Sequence, residues 1–132
     1  MLQTLEMERF GYPNAHRVVV DAYAAQHPGS GADRRDRQSV FVHLAALCLL
    51  TERGADPSYV TTALRRMSAD AGRRFPMPER LGAGELDLRH AWEAGSLASY
   101  ERRAREWAQA VWASYAPAHA TVRAALDAAG GD

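Results

Sequence analysis

Val40-Phe41-Val42-His43-Leu44-Ala45-Ala46-Leu47-Cys48-Leu49-Leu50 contains a single strongly polar side chain, His43. A bilayer span needs about 20 such residues, so a run of this length reads as a helix buried on most sides. An imidazole inside a core needs a hydrogen-bond partner, and His43 therefore predicts a polar group on a neighbouring element.

Helix signals lie on both sides of this run. Pro13 sits where a first helical turn begins, and that helix is expected to end near His27, before Pro28-Gly29. Within it, Val18-Val19-Val20-Asp21-Ala22-Tyr23-Ala24-Ala25 is apolar apart from one acid. Pro28 to Arg37 is glycine-rich and charged, a solvated connection. The second helix is expected from near Arg37 to Arg53, with Gly54 as its stop. Asp56-Pro57 then opens a third with an acid cap and proline at the first position. Tyr59, Val60, Ala63, Leu64 and Met67 give that helix an apolar stripe.

Ala71 to Gly84 breaks the pattern and reads as a long loop or lid. A short helix is expected within Glu85 to Glu93. Gly95-Ser96 opens a longer one carrying Leu97, Tyr100, Ala104, Trp107 and Val111 at helical spacing, and Pro117 starts a last one. No alternation long enough for a strand competes, and there is no internal repeat. The expectation is an all-α, single-domain up-and-down bundle of about five to six helices spanning residues 1–132, with the long loop between the third helix and the C-terminal helices.

Helices joined by a short connection lie antiparallel, so residues equally far from the loop centre sit at similar heights. With that centre near Ala32, Asp21 lies eleven positions before it and His43 eleven after it. The lone acid of one apolar helix is thereby predicted level with the lone imidazole of the next. The same construction levels His16 with Cys48, and His27 with Arg37 or Gln38.

Composition excludes several functions. Sixteen basic residues balance sixteen acidic ones, so no global field favours nucleic acid or an anionic membrane. Cys48 is the only cysteine, which excludes an intrachain disulfide and a cysteine-based zinc finger and suggests an inert packed thiol. Met1 to Arg9 lacks the apolar centre of a signal peptide, and the expected setting is the cytoplasm. Arg73 and Arg74 read as a solvated pair, with an anionic ligand as the alternative.

Asp21 and His43 are the candidate catalytic pair, the acid orienting the imidazole or acting as base. A divalent transition metal, zinc first, could be held by His43 and His119 with Asp21 as ligand or orienter. His16, Tyr23, Gln26, His27, Trp107, Trp112 and Tyr115 are the expected lining of a substrate pocket. His16 and His27, roughly 16 Å apart along one helix, cannot share an ion. A purely structural Asp21–His43 hydrogen bond is the alternative to both chemistries.

Asp21-Ala22-Tyr23-Ala24-Ala25-Gln26-His27-Pro28, Gln38-Ser39-Val40-Phe41-Val42-His43-Leu44 and Trp107-Ala108-Gln109-Ala110-Val111-Trp112 together resemble DUF5946, a bacterial family without an assigned activity. The likeness runs roughly from His16 to His119. Members commonly carry an upstream segment with paired cysteines, absent here, so no zinc role attached to those cysteines is carried over. Members also often have two adjacent histidines where this chain has Ala118-His119. A looser analogy is the DinB-like helical bundle with its three-histidine metal sites, an architectural likeness alone. The functional expectation is a small helical enzyme-like protein acting on a small molecule through a His/Asp pocket, with or without metal. The alternatives are a noncatalytic small-molecule or peptide binding module and a helical homodimer.

Overall fold

The computed structural model describes residues 16–28, 34–69, 78–82 and 84–129, with the side chains of His16, Arg34, Asp36, Pro57 and Ser68 excepted. The expected start at Pro13, the level of the His16 side chain and the Arg73-Arg74 pair lie outside this description. The helices are α1 (His16–Gln26), α2 (Arg34–Leu47), α3 (Pro57–Ser68), α4 (Leu88–Trp92), α5 (Leu97–Ser114) and α6 (His119–Ala128). No strand occurs among the described residues, and no helix is long and apolar enough to cross a membrane.

The local chemistry accounts for most boundaries. Asp56 caps α3 by accepting from the Ser58 main-chain N–H at 2.9 Å, with Pro57 at the position where a missing N–H costs nothing. Asp87 caps α4 and Ser96 caps α5 in the same way. Two boundaries differ from expectation. α2 begins at Arg34, three residues early, because Arg34-Arg35-Asp36 presents no helix breaker. At the other end α2 widens into a π-helical turn, Cys48–Glu52, in which the Arg53 N–H reaches back to the Cys48 carbonyl at 3.1 Å. Gly54 then adopts φ 62° and Ala55 N–H bonds the Leu49 carbonyl at 2.8 Å, a left-handed stop that disfavours a side chain. Pro117 lies in a short 3-10 turn, Ala116–Ala118, that leads into α6.

α1 packs between α2 and α5, α2 also meets α3 and α6, and α4 lies on α5. Val19, Ala22 and Ala25 of α1, Phe41, Leu44 and Leu47 of α2, Val60 and Met67 of α3, Trp107 and Val111 of α5, and Val122 and Leu126 of α6 make one continuous core. Burial of each large apolar side chain there contributes about 1.5 to 3 kcal/mol. The apolar run from Val40 to Leu49 is buried at every position except Val42 and His43.

Candidate functional site

Asp21 is fully buried, yet it belongs to a helix face otherwise made of Val18, Ala22 and Ala25. Its carboxylate is kept there by two cations or potential cations. His43 Nδ1 donates to Asp21 Oδ1 at 2.8 Å from α2 across the hairpin, as the register about Ala32 predicts. Arg17, one helical turn earlier on α1, places Nε 2.9 Å from Asp21 Oδ2. That second approach is an ion pair by distance with its N–H poorly aimed, and neither atom has a well-formed hydrogen bond.

The arrangement fixes a tautomer. A carboxylate oxygen can only accept, so Nδ1 carries the proton and the lone pair of neutral His43 resides on Nε2. The His43 side chain is 24% exposed while its acid is 0% exposed. Among the described residues nothing hydrogen-bonds to Nε2. Such a site can take a proton at Nε2 and stabilise the resulting imidazolium through Asp21, or offer Nε2 to a metal.

The remaining sequence candidates divide into three groups. Tyr23 and His27 are exposed, with their rings 4.5 Å apart on the outside of α1. Each residue of a helix turns about 100°, so Tyr23, two positions beyond Asp21, points away from it, and the pair does not line the Asp21–His43 site. Gln26, Trp107 and Tyr115 are joined in a hydrogen-bonded clamp. Trp107 Nε1 donates to Gln26 Oε1 at 3.1 Å, Gln26 Nε2 donates to the Leu86 carbonyl at 2.5 Å, and Tyr115 OH donates to the Ala25 carbonyl at 2.6 Å. Arg80 adds a bond to the Gln26 carbonyl at 3.1 Å. The end of α1 is thus tied to α5 and to the segment before α4, and burial raises the Tyr115 phenol above its ordinary range.

Trp112 and His119 belong to another cluster. The His119 ring stacks on Trp112 with centroids 3.8 Å apart, and its Nε2 donates to the Trp112 carbonyl at 2.7 Å. That carbonyl, in the last turn of α5, also accepts from the Tyr115 N–H at 3.0 Å, so His119 supplies its second hydrogen bond. With Nε2 so used, His119 does not join His43. Among the described residues no group of three or more His, Cys, Asp or Glu side chains converges as a metal site would require, so the expected His43–His119–Asp21 triad is not assembled. Trp112 Nε1 also donates to Glu52 Oε2 at 3.2 Å, while Arg123 grips both Glu52 oxygens at 2.6 and 2.8 Å. The Arg123 hydrogen bond, ahead of a smaller one from Trp112, holds the Glu52 carboxyl below its ordinary range. Below them Cys48 is buried and its thiol is pushed up to about 11, chiefly by desolvation, which makes it the packed thiol expected.

The sequence reading overlooked Arg17 and the Glu52–Arg123 pair. Arg17 had a local signal, since a base four residues from an acid shares its helix face. Glu52 and Arg123 are 71 residues apart and had none. A cavity of about 580 Å³ opens among Leu49, Arg53, Ala55, Asp56 and Tyr59, and another of about 540 Å³ lies between Leu81, Gly84 and Ala110. Neither is lined by Asp21 or His43.

Helices α1 to α5, with Asp21 and His43, fall within a span, residues 1–116, that matches the model of a family of unknown function, DUF5946. The chain belongs to the DUF5946 family. The match includes Arg17, Asp21 and His43 and stops before His119, so the pair on α1 and α2 lies inside the DUF5946 span and the stacked histidine outside it. Comparison with curated proteins and with solved structures returned no match.

Proposed function

We propose that this DUF5946 protein is a small-molecule enzyme in which His43 moves a proton at Nε2, oriented by Asp21. The observation that carries the reading is a fully buried carboxylate accepting from Nδ1 of an imidazole whose ring still reaches solvent. Nδ1–H is committed to Asp21, which leaves Nε2 as the basic position. A substrate C–H, O–H or water proton taken there makes an imidazolium next to the anion, and the same nitrogen returns the proton to the product. Arg17 stands at the other oxygen of Asp21 and balances charge beside the imidazole. The single buried thiol fits a reducing, cytoplasmic setting.

The test is the tautomer. Long-range proton–nitrogen spectra of the labelled full chain, recorded at about pH 9 where free imidazole is neutral, should show His43 protonated at Nδ1 and bare at Nε2. Asp21→Asn should release that preference. A His43 that is protonated at Nε2, or unchanged in Asp21→Asn, overturns the proposal. Once turnover is measured, full activity in His43→Ala would favour a noncatalytic binding module.

A second reading has one observation in its favour: a carboxylate behind Nδ1 and an open Nε2 is the arrangement by which proteins orient a zinc-binding histidine. Zinc at His43 would polarise a bound water, with Asp21 as orienter. Stoichiometric zinc in protein purified without a histidine tag, lost in His43→Ala, would support it.

A further inference from the structure

Arg17 has no role in the proton transfer beyond balancing a charge, yet its placement exceeds that need. Its Nε is buried against Asp21 Oδ2, whereas the side chain as a whole is 30% exposed. Among the described residues no partner engages either terminal amino group. The ion pair is therefore oriented, with its negative end wholly inside the bundle and its positive fork turned to solvent. His43 sits on the other oxygen of the same carboxylate, so the open fork and the open Nε2 flank one group. A guanidinium fork matches the two oxygens of a carboxylate or phosphate, which a point charge does not.

We propose that Arg17 and His43 form a binding site for a small oxyanion, a carboxylate or a phosphate, held by the Arg17 fork so that the adjoining part of the molecule meets His43 Nε2. This rests on the preceding reading of His43 and adds the substrate class. The desolvated carboxylate of Asp21 does not repel such a ligand, since Arg17 Nε and His43 Nδ1 stand at its two oxygens. The formal charge of the chain is zero, so attraction at this point comes from the local pair and not from the overall field.

The experiment follows the His43 ring resonances of the full chain, assigned with His43→Gln, during titration with sodium acetate and, separately, with inorganic phosphate. Sodium chloride at matched ionic strength is the reference. A saturable shift of Nε2 at roughly millimolar anion is expected with at least one of the two. Saturation by acetate alone assigns a carboxylate, and tighter saturation by phosphate assigns a phosphate. Arg17→Gln should abolish saturation. Arg17→Lys, which keeps the charge and loses the fork, should weaken it about tenfold. Circular dichroism checks that each variant keeps its helices. If Arg17→Gln unfolds, Arg17→Lys decides, and affinity equal to that of the parent overturns the proposal. A shift reproduced by chloride, no saturation with either anion, or saturation undiminished in Arg17→Gln also overturns it. Where His43 shows the Nδ1-protonated tautomer and the anions still fail to saturate, only this inference falls. A reversed tautomer defeats the proton-transfer reading together with it.

Discussion

Among the described residues two acid–imidazole pairs have nearly equal length, and they differ in what surrounds the acid. His43 meets Asp21 at 2.8 Å and His90 meets Glu106 at 2.9 Å, with the two imidazoles similarly exposed at 24% and 29%. Asp21 has no exposed surface, whereas 49% of the Glu106 side chain meets solvent. Water competes for Glu106 at every moment and for Asp21 hardly at all. A short distance between an acid and an imidazole therefore says little. The burial of the acid decides whether the ring is fixed. The nitrogen used also differs: His90 contributes Nε2, the tip of the ring, while His43 contributes Nδ1 and leaves its tip open.

Glu52, with 31% of its side chain exposed, stands between these two acids, and the three define a gradient that mutation can test. The largest effect is expected for Asp21→Ala, which deprives His43 Nδ1 and Arg17 Nε of their partner together. A loss of about 1 to 3 kcal/mol in urea unfolding is expected, the cost of leaving buried polar groups unmatched. A loss too small to measure would break the comparison at its strong end.

Glu52→Gln should show an intermediate effect with a defined pH signature. The folded carboxyl is held below its ordinary range, chiefly by the Arg123 hydrogen bond, so its stabilisation is present above the unfolded value near pH 4.3 and is lost as pH falls through the lower folded value. Parent and variant melting temperatures should therefore differ at neutral pH and converge in acid. A difference that persists unchanged at about pH 2, below the ordinary carboxyl range, would assign the effect to packing against Trp112.

Glu106→Gln should matter least. The His90 hydrogen bond lowers its carboxyl too, and the sign is the same, with the contribution present above the ordinary carboxyl range and lost below it. Because the pair is open to solvent, melting at neutral pH should barely change, and about 1 M salt should erase what remains. A Glu106→Gln loss as large as that of Asp21→Ala would show that burial of the acid is not what separates the two pairs.

The strong pair was legible because the sequence supplied one acid in one apolar helix, one imidazole in the next, and a connection short enough to fix their heights. Heights alone did not give rotation. Tyr23 and His27 share α1 with Asp21 and still face outward, a matter of angle about the helix axis that tertiary packing settles. His119 stands at the expected helix start, and its Nε2 goes to the Trp112 carbonyl, which also accepts from the Tyr115 N–H, instead of to a site at His43. Gln26 falls within the family-like block and is an expected pocket residue, but no local signal points to its hydrogen bond with Trp107, 81 residues away. The apolar content of Leu49 and Leu50 predicted a plain continuation of α2 and gave no sign of the wider turn there.

That wider turn acts as a phase offset. An α-helix advances about 100° per residue, so one residue more in a single turn rotates everything after it by about that amount relative to everything before it. His43 is set by the phase before Cys48–Glu52, and Glu52, the last residue of that turn, carries the offset. Removing one residue from the turn would swing Glu52 away from Trp112 and Arg123 while Asp21 and His43 kept their alignment. The two polar clusters are thus geared separately along one continuous rod, and either can be re-aimed by a single-residue insertion or deletion without turning the other.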